Sequence, residues 1–200
     1  MEVVTLNHKD FKLKCAELVS KIETQPDLIV GVLNGGGYIL NAIKGHNDLN
    51  GVAFNSVKQQ RDSKFKNNII VKSILKRLPY RISNSIRVFE SENAKKTINK
   101  INLKDLSDIS LDLNTASGII EPKYVLIVDD AIDTGKAMYI TKNSLSKLFP
   151  KAKIETAVIS WTIDASIIKP DYYLYKNILV RFPWSKDYKG KDFEKNSFSS

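Results

Sequence analysis

The chain has 200 residues, enough for one domain with a modest appendage, and 42% of them are apolar, which suffices for a globular core. No apolar run approaches the length of a membrane-spanning helix, and Met1 to Lys9 lacks the apolar core of a signal peptide. The single cysteine, Cys15, excludes a disulfide framework and a thiolate metal site, so the expected address is cytoplasmic. The formal charge of +9 would attract any polyanion, but the lysines are scattered and no nucleic-acid recognition motif accompanies them.

Helix-like and strand-like segments alternate along the chain, which argues an α/β fold. Residues 8–23 form an amphipathic helix, with Phe11, Cys15, Leu18, Val19 and Ile22 at helical spacing; Cys15 is expected to be a buried core thiol. DLIVGVL, at 27–33, reads as a buried strand. It is followed by a tight turn, Asn34-Gly35-Gly36-Gly37, and a helix from Tyr38 to Lys44. Three glycines after a buried strand let backbone amides approach an anion closely. Residues 51–57 look like a second strand, leading into Lys58, Arg61 and Lys64. Residues 67–100 are helical in flavour, broken at Pro79, and the segment 101–120 is polar and weakly patterned.

YVLIVDDAIDTGKA, at 124–137, is the most informative stretch. A short apolar run from Tyr124 to Val128 reads as a parallel strand buried on both faces. Asp129 and Asp130 stand at its carboxyl end, where open α/β sheets bind ligands. Asp133 follows, and then Thr134 and Gly135 at the entry to the next helix. There, free backbone N–H groups and the helix dipole favour a phosphate. Carboxylates that seek hydroxyls, set beside a phosphate cradle, describe a site for a sugar phosphate. A Walker loop is excluded, because the GxxxxGK[ST] spacing is absent and Ala137 follows Lys136. A response-regulator receiver domain would carry its acid pair near the N-terminus, not at position 129. Beyond this stretch, 137–149 is a helix, 154–160 and 178–182 are strands, and the charged tail from Lys186 to Ser200 is expected to fray.

The stretch from Asp129 to Ala137 resembles the phosphoribosyl pyrophosphate (PRPP) signature of type I phosphoribosyltransferases. The resemblance implies an α/β fold: a central, mostly parallel sheet flanked by helices, here with a helical insertion and a C-terminal hood. It further implies a single domain over 1–200, with 58–120 as the helical insertion or lid and 161–200 as hood and tail. Asp129 and Asp130 would hold the ribose hydroxyls and, directly or through water, Mg²⁺. Asp133, Thr134, Gly135, Lys136 and Ala137 would wrap the 5′-phosphate, and Asp133 would serve as general base. In the family, the loop after the first core strand holds pyrophosphate, often with a non-proline cis peptide. Here it falls on Leu33, Asn34, Gly35 and Gly36, with Lys58 or Arg61 closing over the group. Many members carry Lys or Arg where this chain has Asn34.

KPDYY at 169–173 and RFPW at 181–184 are similar to the end of the purine (xanthine, guanine and hypoxanthine) branch, where a hood covers the acceptor base. The departures on this acceptor side fall at Leu179, where that branch stacks an aromatic on the base, and at Ser185, where it often has an acid after the Pro-Trp pair ending in Trp184. No Lys stands at 160–163 to read a purine 6-oxo group. The insertion ILKRLPYRISNSIRVFE at 74–90, with Arg77, Arg81 and Arg87, replaces a short flexible loop. The expected donor is therefore PRPP with Mg²⁺, in a chain that pairs as a homodimer or stands alone. The expected acceptor is a sugar hydroxyl of a surface glycan, the alternative a 6-oxopurine in salvage, and the second alternative a regulator that binds PRPP without catalysis.

Overall fold

A computed structural model describes residues 1–58, 77–109, 111 and 121–193. A five-stranded parallel sheet, in the order β3-β2-β4-β5-β6, organises the chain. Its strands are β2 (Leu28–Leu33), β3 (Ala53–Lys58), β4 (Tyr124–Ile132), β5 (Lys153–Trp161) and β6 (Tyr172–Lys176). A second, two-stranded parallel sheet joins β1 (Glu2–Thr5) to β7 (Ile178–Arg181). Among the described residues the α-helices are α1 (His8–Ser20), α2 (Gly35–Ile43), α3 (Tyr80–Ile98), α4 (Leu103–Ser107) and α5 (Lys136–Leu148).

Strand order places the site. From β2 the chain steps outward to β3; from β4 it steps the other way, to β5 and β6. β2 and β4 are neighbours, with Leu28 opposite Val125 and Gly31 opposite Val128. The connections leaving their carboxyl ends therefore diverge to opposite sides and leave a crevice between them, where ligands bind in open α/β sheets. Both segments singled out by the sequence, 34–37 and 133–137, leave from this point.

The core follows from composition. Ile29, Val30, Val32, Val125, Leu126, Ile127 and Val128 are almost wholly buried, as expected for central strands covered on both faces. Phe11, Cys15, Leu18 and Val19 of α1 pack with Ile39, Leu40 and Ile43 of α2 on one side of the sheet. Met138 and Leu145 of α5 pack on the other. The Asn7 side chain caps α1 by accepting from the Asp10 N–H at 2.8 Å.

The structure differs from the sequence reading in four places. Gly35, Gly36 and Gly37 form the first turn of α2 rather than a turn ahead of it. A Cβ on Gly36 would strike the Val128 carbonyl, so the helix can seat on β4 only with glycine there. β1 and β6 add strands that the pattern did not reveal. In the insertion, Pro79 stands ahead of α3 as anticipated, and α4 forms within the weakly patterned segment. The C-terminal segment is folded well past Lys186, with Asp187 and Tyr188 buried. Arg61, Lys64, residues 67–76 and 112–120, and the tail from 194 to 200 lie outside the described residues.

Candidate active site

β4 carries the acid pair within its last turn-ward residues, with Asp129 opposite Val158 and Ala131 opposite Ser160 of β5. The strand thus holds the acids on fixed backbone rather than on a loop. Asp129 Oδ1 accepts from the Asp130 N–H at 2.9 Å. Asp130 Oδ2 accepts from the Trp184 indole N–H at 3.0 Å. Burial drives the Asp130 carboxyl above the ordinary carboxylate range; the Trp184 hydrogen bond opposes this, and the neighbouring Asp133 charge adds to it.

Opposite the acids stands the start of α2. The Leu33–Asn34 peptide bond is cis, at the position where the resemblance put one. Gly35 lies so close to the acid pair that a Cβ there would overlap the Asp130 carboxyl and stand 2.6 Å from Asp129 Oδ1. Backbone and carboxylates therefore share one small polar space.

On the third side, Gly135 caps α5 with φ 87°, a conformation that side chains rarely adopt. A Cβ there would also meet Ile168 at 2.9 Å. The Ile167 N–H donates to the Thr134 carbonyl at 3.0 Å and fixes the turn from outside. The first N–H groups of α5 open beside Asp133 and Thr134, an arrangement suited to an anion.

These parts enclose a cavity of about 670 Å³. Asn34, Gly35, Asp129, Asp130, Asp133, Thr134, Gly135, Lys136, Ala137 and Trp184 all line it. Of the other residues singled out by the sequence, Leu33 and Gly36 flank the lining residues of the α2 start without joining them. Lys58 is exposed at the end of β3. Leu179 is buried in β7 opposite Val3, and the Ser185 hydroxyl closes a turn by accepting from the Phe182 N–H at 2.9 Å. Among the described residues, these last three do not line the cavity.

The sequence reading missed Leu106 and Ile140, which give the cavity an apolar wall. Leu106 reaches it because α4 is tied to α5: the Ser107 carbonyl accepts from Asn143 at 3.1 Å and from Lys147 at 2.6 Å. Also missed was the way the insertion is anchored. Arg181 is 1% exposed, and its guanidinium donates to Asp187, Thr5, Ser83 and Asn84 and stacks on Tyr80. Arg87 of α3 donates to the same Asp187. Burial alone would raise the Asp187 pKa, but the hydrogen bonds and charges of Arg87 and Arg181 outweigh it and hold the carboxyl at about 2. Arg87 is thus paired rather than a solvated surface charge. It clamps α3 to the C-terminal segment.

Among the described residues, no cluster of three or more potential metal ligands exists. Two carboxylates beside an open polar cavity do suit Mg²⁺, which commonly takes one or two protein carboxylates and completes its shell with water and substrate phosphate oxygens. Among the described residues, no helix is long and apolar enough to cross a membrane.

No curated protein matches this chain. Several solved structures share its fold. A purine phosphoribosyltransferase from Pyrococcus horikoshii Ot3 superposes with a TM-score of 0.57 at 20% identity, covering 92% of this chain and 95% of that one. The Helicobacter pylori xanthine-guanine-hypoxanthine phosphoribosyltransferase gives 0.56 at 16% identity, with 92% and 94% covered. A hypothetical protein from Neisseria gonorrhoeae with bound ppGpp gives 0.55 at 15% identity, with 92% and 89% covered. At these identities the likeness establishes the fold. Residues 5–189 match the family model of the phosphoribosyl transferase domain, spanning the α2 start, the acid pair, the α5 cradle and the hood, and the chain belongs to that family.

Proposed function

We propose that the chain transfers the 5-phosphoribosyl group of PRPP, with Mg²⁺, to a non-purine acceptor, and that this acceptor is a sugar hydroxyl of a glycan. The observation that carries the donor half is the convergence of three elements on one cavity: the β4 acids, the α2 start and the α5 cradle. In this reading Asp129 and Asp130 hold the ribose hydroxyls, and Thr134 to Ala137 bind the 5′-phosphate. Asn34 and Gly35 offer backbone dipoles to the pyrophosphate. Mg²⁺, held by Asp129 and Asp130 directly or through water, would neutralise charge on the leaving pyrophosphate. Asp133 lines the cavity beside the cradle and accepts the proton of the attacking hydroxyl as general base. Leu106 and Ile140 give the cavity an apolar wall on the side of α4 and α5.

The acceptor half rests on what occupies the hood. Leu179 is buried in a strand pair and offers no ring. Trp184 already has Tyr38 stacked on it at 3.9 Å between ring centroids and Phe182 at 4.9 Å. A purine would lack a stacking platform at both positions. The second reading, 6-oxopurine salvage, is favoured by the purine substrates named for two similar structures. Incubation with PRPP, Mg²⁺ and each candidate acceptor, read as pyrophosphate release, separates the two. Release with hydroxyl-bearing glycans and none with hypoxanthine, guanine or xanthine supports the first; nucleotide formation supports the second.

A further inference from the structure

The hood reaches the donor half of the cavity through one side chain. Trp184 lies 54 residues from Asp130 in sequence, yet its indole N–H donates to Asp130 Oδ2 at 3.0 Å. The indole is immobilised before it makes that bond. Tyr38 lies parallel to it within 8° and Phe182 within 4°, while Phe11 meets it edge-on at 4.9 Å. The segment bearing it is fixed at both ends. Arg181, before it, and Asp187, after it, form a buried ion pair at 2.8 Å, and Arg87 of α3 joins the same carboxylate. The Phe182 N–H bond to Ser185 closes the turn between them.

We propose that Trp184 is a positioning residue for the donor, which fixes one Asp130 oxygen by its N–H so that the other is presented to the ribose hydroxyls, and that the Arg181–Asp187–Arg87 clamp holds Trp184 in place. This rests on the PRPP reading of the cavity. The other oxygen, Oδ1, faces Gly35 at the start of α2, where a Cβ would overlap it, so the carboxyl stands between the Trp184 hydrogen bond and backbone that also lines the cavity. Preorganisation of this kind lowers the cost of binding, because a carboxylate that is already oriented loses no rotamer freedom when the sugar arrives. It also assigns the insertion a task. α3 steadies the donor site from a distance through the hood, instead of folding over the cavity as a lid.

The test is calorimetry on the full chain with PRPP and ribose 5-phosphate in the presence of Mg²⁺, and with inorganic pyrophosphate in its absence. Trp184→Phe keeps a ring in the stack and removes the N–H donor together with part of the indole. PRPP and ribose 5-phosphate affinities should fall about tenfold, the usual scale for a lost hydrogen bond to a charged group. Pyrophosphate affinity should stay within about twofold. Arg87→Gln loosens the clamp from outside the cavity and should weaken PRPP about threefold with the same selectivity; it decides the matter should Trp184→Phe not fold. Unchanged PRPP affinity in the folded variant overturns the proposal. An equal loss of all three ligands overturns it too, since that reports a collapsed cavity. Failure of the parent chain to bind PRPP removes the donor reading itself, and the positioning role with it.

Discussion

Gly35 and Asp130 share a space that admits no methyl group. A Cβ on Gly35 would overlap the Asp130 carboxyl, and Trp184 holds that carboxyl from the other side. Gly35→Ala must therefore push the acids out of place or displace the start of α2. A displacement on the ångström scale in a site of this kind costs about 100-fold. Pyrophosphate release should slow by that order and calorimetric PRPP affinity should fall with it, while the far-ultraviolet circular dichroism spectrum stays that of the parent. An alanine variant that binds PRPP normally would show that the acids and the α2 start do not act on one ligand.

The acids themselves make the sharper claim. Asp129→Asn with Asp130→Asn keeps the shape of the strand end and removes both charges. Amides make poorer partners for ribose hydroxyls and for Mg²⁺. Calorimetric PRPP binding should drop below detection at millimolar ligand. Parent-like affinity in the double variant would place the donor elsewhere.

Asp133 lines the cavity and stands beside the cradle, and its charge is felt at Asp130. Asp133→Asn should lower turnover by roughly 10²–10⁴-fold, the range for removing a general base, and leave PRPP binding in place. Pyrophosphate release measured against calorimetric affinity distinguishes a base from a binding group. A variant with turnover within a few-fold of the parent moves the base to another residue.

That Asp129, Asp130 and residues 133–137 share one cavity was legible in the sequence because the segment is local. Asp129 to Ala137 are contiguous, and the strand before them is apolar without a break. The glycines after β2 were legible as a close approach but not as helix, because glycine disfavours helix and only packing on the Val128 carbonyl makes that turn worthwhile. The contacts of the C-terminal segment were hidden by distance along the chain. Arg87 meets Asp187 across 100 residues, and β1 pairs with β7 from the opposite end of the sequence. β6, YYLYK, is half-buried along most of its length and carries no clean alternation, so it did not read as a strand. Leu106 lies in a polar segment, and only the tie between α4 and α5 brings it to the cavity.

The clamp also gives a pH dependence. The Asp187 carboxyl sits at about 2, below its ordinary value of 3.8. A depressed folded-state pKa contributes stability that is complete above the unfolded value and is lost as pH falls toward the folded one. The window is therefore about pH 4 down to about pH 2, and the difference amounts to roughly 2 kcal/mol. Asp187→Asn should be less stable than the parent at neutral pH and should lose less between pH 5 and pH 2. Denaturant unfolding across that range measures it. Parallel pH curves for the two chains would mean that Asp187 does not sense its arginines.

The acceptor prediction turns on Leu179 and Trp184. A purine pocket needs a flat platform and polar groups for the base's edge, and each edge group left unpaired costs about 1–3 kcal/mol. Leu179 is 8% exposed and paired with Val3, so it presents neither a ring nor a free surface. Trp184 is stacked on Tyr38 and bonded to Asp130, so recruiting it for a base would break its bond to that acid. Ser160, at the end of the strand before the hood, donates its hydroxyl to the Ile178 carbonyl and is fully buried. Turnover with hypoxanthine, guanine or xanthine should therefore be at background, and hydroxyl-bearing glycans should release pyrophosphate. Leu179→Trp, which restores a ring at the stacking position, should not by itself create purine activity, because the Lys that reads the 6-oxo group is also missing from 160–163. Steady nucleotide formation by the parent chain from any of the three bases would overturn this and leave salvage as the function.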